Sequence, residues 1–180
     1  MANKYIALLR GINISGQKLI EMKDLKESFE NLKFRDVITY VQSGNVVFQA
    51  PGFKEVALVS KIEKMILKDF GFKVPVMVRS SHEIQEVFKT NPFLKKKDID
   101  ISRLYVTFTS QEPDKKPLKS LEKYITQNEE FKLIGREFFL HFPNSYGKTK
   151  LNNNIIEKVM SVSATTRNWN TVTQLAESSR

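Results

Sequence analysis

The chain of 180 residues has no cysteine. That excludes disulfides, thiol nucleophiles and thiolate metal sites, and it fits a reducing compartment. Histidine is almost as scarce, since only His82 and His141 occur, and their separation offers no zinc-ligand spacing. Asp98 and Asp100 form an acidic pair of the kind a divalent cation could meet, but a loop Asp-x-Asp is ordinarily solvated. We therefore expect no metal and no cofactor. Long apolar runs are missing as well. Tyr5 to Leu9 is a run of five residues, short of the roughly 7–15 of a secretory signal and the roughly 20 of a membrane span. The expectation is a cytoplasmic protein without a membrane partner. Neither a nucleophile elbow nor a catalytic triad is present, so no catalytic residue is assigned and enzymatic activity stays open.

Acidic residues are the minority among the charges. Lys plus Arg number 29 against 20 Asp plus Glu, a formal net charge of +9. Such a balance favours anionic partners, a phosphate-bearing metabolite or nucleic acid. Most of the positive charge is Lys, a hydrated point charge, whereas the seven Arg are the better forks for phosphate. With 41% hydrophobic residues, the chain can bury a sizeable core without staples.

The patterning predicts two rounds of the same element order. Tyr5 to Leu9 reads as a buried strand. Met22, Leu25, Phe29 and Leu32 recur at helical spacing. Val37 to Gln42 and Asn45 to Gln49 are strand-like runs joined at Ser43-Gly44, a two-residue hairpin signal. Val56, Val59, Ile62, Ile66 and Phe70 mark a second helix, and Val74 to Val78 a strand that Pro75 assigns to a sheet edge. This β-α-β-β-α-β order is the split βαβ, or ferredoxin-like, order. Ser80 and Glu83 then form a capping box for a short helix, which Asn91-Pro92-Phe93 ends. Arg103 to Thr109 alternates as a half-buried strand with Tyr105, Thr107 and Thr109 on the exposed side. Leu118, Leu121 and Ile125 suggest a helix, and Phe131 to Ile134 and Phe138 to Phe142 a hairpin turning at Gly135-Arg136. Ile155, Ile156, Val159 and Met160 share a helix face. No closing strand is evident before a last helix carrying Trp169, Val172 and Leu175. The fold class expected is α+β, with two tandem ferredoxin-like (βαββα) subdomains whose antiparallel sheets carry helices on one face. The first spans residues 1–79. The second, incomplete and with C-terminal helices, spans residues 80–180.

Four polar blocks stand out as ligand-binding candidates. In the first, Arg10, Gly11 and Asn13 follow a strand, where positive φ at Gly and Asn would let backbone N–H groups converge on an anion. A plain turn explains them equally. In the second, Gln42, Ser43 and Asn45 surround a turn and could read a ligand edge, or simply close the hairpin. In the third, Tyr146, Gly147, Lys148 and Thr149 lie between a strand and a helix. Gly147-Lys148-Thr149 matches the end of a phosphate-binding loop, but that motif needs Gly at position 142, where Phe stands. What remains is Thr149 as a helix cap beside Lys148 and Lys150. In the fourth, Arg167 and Asn168 precede Trp169. Asn168 suits a helix cap and Trp169 a core position, which leaves Arg167 least explained by fold.

These same segments carry a resemblance. Tyr5-Ile-Ala-Leu-Leu-Arg-Gly-Ile-Asn13, Met22 to Leu25, Thr39-Tyr-Val-Gln-Ser-Gly-Asn-Val-Val-Phe48, Asn91-Pro-Phe93 and Ala164-Thr-Thr-Arg-Asn-Trp-Asn-Thr-Val172 run from end to end of the chain. In them the chain resembles the family catalogued as domain of unknown function 1697, small bacterial proteins. The resemblance implies an α+β fold with ferredoxin-like subdomains in tandem, and it implies no activity or ligand. Ile14-Ser15-Gly16 departs from the valine and two glycines usual there, and Thr149 from a serine.

The function expected is the binding of an anionic, phosphate-bearing small ligand. Arg10 and Arg167 would clamp phosphate, Lys148 and the backbone near Thr149 would hold further oxygens, and Gln42 and Asn45 would orient the ligand. The alternatives are sequence-tolerant single-stranded nucleic-acid binding, with Tyr40 or Tyr105 as a stacking platform, and a protein-interaction module. No sequence feature assigns an oligomeric state or joins the N-terminal and C-terminal blocks into one site.

Overall fold

Strand β1 (Ala2–Leu9) turns successive side chains to opposite faces of its sheet. Tyr5, Ala7 and Leu9 enter a core with Leu25 and Phe29 of helix α1 (Met22–Asn31) and Leu58, Ile62 and Ile66 of helix α2 (Glu55–Phe70). Both helices therefore cover the same face. Strands β2 (Arg35–Tyr40), β3 (Asn45–Pro51) and β4 (Val76–Ser80) complete an antiparallel sheet of order β2-β3-β1-β4. Pro75 precedes the edge strand β4, as expected of a residue that cannot donate to a ladder. Phe48 of β3 packs edge-on against Phe29 and stacks on Phe34, with ring centroids 5.4 and 4.7 Å apart. Full burial of each such side chain contributes roughly 1.5–3 kcal/mol.

The computed structural model describes residues 2–126 and 128–180. Two compact units result, one of Met1–Glu86 with Leu175–Arg180, the other of Val87–Gln174. Strand β4 runs without a loop into helix α3 (Ser81–Thr90). The Ser80–Glu83 capping box forms there: Ser80 N–H donates to Glu83 Oε2 at 2.8 Å, and Glu83 N–H donates to Ser80 Oγ at 3.2 Å. The last residues of the chain belong to the first unit. Gln85 Nε2 of α3 donates to the Ala176 carbonyl and to Ser179 Oγ, and Lys4 Nζ donates to the Arg180 carbonyl.

In the second unit, Asn91 caps a 3-10 helix (Pro92–Lys95), its Oδ1 accepting from Phe93 N–H at 3.0 Å. Strands β5 (Leu104–Thr109), β6 (Glu130–Ile134), β7 (Glu137–His141) and β8 (Ala164–Asn168) form an antiparallel sheet of order β6-β7-β5-β8. Helix α4 (Asn153–Met160) packs Ile156 and Met160 into a core with Phe138, Leu140 and Phe142. Helix α5 (Trp169–Ser178) follows β8 directly, and its Trp169 stacks on Phe88 at 5.8 Å and 6°.

Several sequence expectations change here. The second subdomain is not incomplete, because β8 closes it by pairing with β5. Its residues Thr165, Thr166, Arg167 and Asn168 hid it, being neither apolar nor alternating in hydropathy. The Leu118–Ile125 helix is a 3-10 helix (Leu118–Tyr124), since spacing of three serves both helix types. Thr107 and Thr109 are fully buried rather than exposed. Thr107 Oγ1 lies 2.6 Å from Thr166 Oγ1, and Thr109 Oγ1 donates to the Arg136 carbonyl at 2.7 Å, so their hydroxyls are satisfied inside. The β2–β3 connection is four residues, 41–44, rather than two.

Candidate functional site

The end of β1 opens into a loop of unusual backbone. Gly11, Asn13, Ser15, Gly16 and Lys18 all have positive φ, between 47° and 74°. Such residues are uncommon outside glycine; here they fold the loop back on itself, with Asn13 N–H donating to the Lys18 carbonyl at 3.1 Å and Gln17 N–H to the Ile14 carbonyl at 2.9 Å. Asn13 holds the loop in place. Its Oδ1 accepts from Ile20 N–H at 2.8 Å, and its Nδ2 donates to the carbonyls of Ile20 at 3.0 Å and Gln42 at 2.9 Å. The first and second polar blocks are thereby joined at one end of the first sheet.

The hairpin turn at 41–44 is equally constrained. Gly44 has φ +77°, and a Cβ there would stand 2.6 Å from Ile12 Cδ1 and 2.9 Å from Leu9 Cβ. Only glycine lets the turn close against the loop. Val41 adopts φ +51°, a strained state for a β-branched side chain. Asn45 is fully buried and donates to the Tyr40 carbonyl at 2.8 Å and Ser43 Oγ at 3.1 Å. Its task is to shape the turn rather than to face a ligand. Gln42 and Ser43 are exposed, and Arg10 and Gly11 are half-buried. Arg10 N–H donates to the Pro75 carbonyl at 2.9 Å, and Lys18 Nζ donates to the Lys73 carbonyl at 2.9 Å, so the loop is also moored to the approach to β4. Lys18 was not among the sequence candidates; the Asn13-Ile14-Ser15-Gly16 run of turn formers was the signal beside it.

The remaining candidates lie in the second unit and do not make a single cluster. Tyr146 Oη donates to Thr166 Oγ1 at 3.2 Å and accepts from Asn153 N–H at 3.1 Å. Arg167 follows Thr166 on β8, and alternation turns it to the opposite face of the sheet. It is 6% exposed, and its Nη1 donates to Thr165 Oγ1 at 2.8 Å and the Thr166 carbonyl at 2.9 Å. Burial lowers its pKa to about 10, so the guanidinium stays charged at neutral pH. Thr149 is buried and accepts from Leu151 N–H at 3.1 Å; the cap of α4 is Asn152, whose Oδ1 accepts from Ile155 N–H at 3.2 Å. Asn168 Oδ1 accepts from Thr171 N–H at 2.8 Å and so caps α5. Lys148 is exposed on a 3-10 turn (Tyr146–Lys148). Among the described residues no group of His, Asp and Glu is arranged to hold a metal, and no helix is long and apolar enough to cross a membrane.

Residues 2–139 match the family model described as protein of unknown function (DUF1697). The chain belongs to that family. The match takes in the Arg10 loop and the 41–44 turn, while the Ala164–Val172 block lies beyond it. No curated protein matches the chain. Among solved structures it is similar to the conserved bacterial protein SP0830 from Streptococcus pneumoniae, at 22% identity and a TM-score of 0.79 over 100% of both chains. At that identity the likeness is one of fold.

Proposed function

We propose that this member of the DUF1697 family binds an anionic, phosphate-bearing ligand at the end of its first sheet, in the cytoplasm. The observation that carries the reading is the run of left-handed residues from Gly11 to Lys18, fixed by Asn13 against the 41–44 turn. In such a loop the N–H groups of Gly11, Ser15 and Gly16 would serve as the donors to oxygen, without the entropy cost of ordering side chains, since those of Asn13 and Gln17 are bonded within it. Arg10 at its base supplies charge, and Gln42 and Ser43 on the rim supply amide and hydroxyl contacts. The net charge of +9 raises the local concentration of any anion. Arg167 has no part in this grip, because its guanidinium is spent on Thr165 and Thr166. The nucleic-acid alternative has two candidate stacking platforms, the half-buried Tyr40 and Tyr105. The Tyr105 ring packs at 5.4 Å from Tyr146 and 6.0 Å from Phe142, on the side of the second sheet that the core occupies.

The test is an amide-resolved NMR titration of the full chain with inorganic phosphate, pyrophosphate and a nucleoside triphosphate. The amides of Gly11, Ser15, Gly16, Gln42 and Ser43 should move together. Arg10→Ala should weaken binding about tenfold or more, the size expected for a lost charge-assisted hydrogen bond. Still amides at millimolar concentrations of all three compounds would remove the proposal. Binding of a short RNA whose affinity falls steeply with salt while those amides stay still would favour nucleic acid instead.

A further inference from the structure

The second sheet has an open edge of a different character from the first. In the first sheet the edge strand β2 is interrupted: its register with β3 shifts between Arg35 and Ile38, and Asp36 in the gap has φ +50°. A bulge of this kind spoils an edge as a template for further pairing. Strand β6 has no such device. It pairs with β7 in unbroken register from Glu130 to Ile134, and no strand lies on its other side among the described residues. Gly135-Arg136 is a two-residue turn with Gly at φ +59°, which makes Ile134–Glu137 the first hydrogen-bonded pair. Bonded pairs alternate, so the N–H and C=O groups of Phe131 and Leu133 point away from β7.

Beside that edge runs an open groove of about 790 Å³. Leu118, Ile125 and Leu133 give it an apolar floor, and Lys115, Lys116 and Lys119, all exposed, line its rim. Of the three acids on the lining, Glu122 is exposed and the other two are engaged elsewhere. Glu129 is 4% exposed and its Oε2 accepts from Thr126 N–H at 2.8 Å, while Glu130 pairs with Lys96. We propose that β6 accepts an extended, acidic segment of a partner protein as a fifth strand of the second sheet. Main-chain hydrogen bonds to Phe131 and Leu133 would hold the segment in register. Apolar side chains at alternate positions would meet the floor, and acidic side chains would meet the three lysines. This surface is independent of the anion site in the first unit, so either proposal can fail alone.

The test uses the full chain and two capped hexapeptides, one alternating Val and Glu, the other alternating Val and Lys. With the Val–Glu peptide, the Phe131 and Leu133 amides should shift and become protected from hydrogen exchange. The triple variant Lys115→Glu, Lys116→Glu, Lys119→Glu should lose about tenfold in affinity for it or more. Leu133→Pro removes one outward donor and should abolish binding; if that variant does not fold, the three exposed lysines still carry the test. Unmoved amides with millimolar Val–Glu peptide, or equal binding of the Val–Lys peptide, would overturn the proposal. So would shifts that appear without peptide as protein concentration rises and that sedimentation assigns to a dimer, since β6 would then pair with a second copy of the chain.

Discussion

Ile6 faces Arg79 across β1 and β4, and Val106 faces Arg167 across β5 and β8. Each arginine lies at the same step of its closing strand, and each Nη1 donates to the carbonyl of the residue before it, at 2.8 Å to Val78 and 2.9 Å to Thr166. Each strand then passes directly into a capped helix, by Ser80 with Glu83 in one and by Asn168 with Thr171 in the other. The unit of repetition is thus longer than a ferredoxin-like motif: it includes the trailing helix and a buried cation. What differs is the ends. The first repeat puts a left-handed loop after its opening strand, whereas no described residue of 110–117 has positive φ apart from glycine positions, of which there are none. The second repeat keeps a regular edge where the first has a bulge. Two copies of one framework have therefore been left with different surfaces, a left-handed loop beside a bulged edge in one and an unbroken edge strand in the other.

The largest test of this pairing is the arginines themselves. Arg79 is fully buried, with Glu55 Oε1 at 4.0 Å, and Arg167 is nearly so. Arg79→Ala and Arg167→Ala should each cost about 3 kcal/mol in urea unfolding, Arg79 the more, because each removes a large buried side chain and its hydrogen bonds together. A neutral result at either position would break the equivalence of the repeats.

The hairpin turns separate them next. Gly44→Ala combines a left-handed φ with contacts no Cβ tolerates, and should destabilise by about 2–3 kcal/mol. Gly135→Ala meets only Glu137 Oε2 at 3.9 Å and should cost about 1 kcal/mol, the conformational penalty alone. Chemical denaturation of the two variants side by side measures the difference.

The smallest effect is electrostatic and confined to the second repeat. The hydrogen bond from Lys96, and after it that of His141, hold the Glu130 carboxyl below the ordinary glutamate range. The folded state then binds fewer protons than the unfolded chain at mildly acid pH. The stabilisation is complete above about pH 4.5 and is lost as pH falls through the lowered folded value. The pair is solvent-exposed, so the amount is under about 1 kcal/mol. Urea midpoints of the wild type and Glu130→Gln at pH 6 and pH 3 should converge at the lower pH.

Legibility in the sequence followed the range of the interactions. Ser80 with Glu83, and Gly135 with Arg136, act within a few residues, and both were readable. Strand β8 was not, because Thr165 and Arg167 are buried by hydrogen bonds rather than by apolarity, and their partners are set by folding. Thr107 departs from its hydropathy for the same reason: its hydroxyl partner Thr166 is 59 residues away. Of the candidate site, the joining of Arg10, Asn13, Gln42 and Ser43 depended on one amide, Asn13, reaching 29 residues along the chain. No local pattern encodes that reach. Arg167 drew notice as unexplained, and its counterpart Arg79 did not, since only the strand register shows them to be the same position.

The first unit is assembled from both extremities of the described chain. Lys4 touches Arg180, and Gln85 touches Ala176 and Ser179. Topologically the second unit is an insert in the first. A short flexible linker from Arg180 back to the start of β1, with new ends opened in the exposed stretch 114–116, should give a circular permutant with the same two sheets.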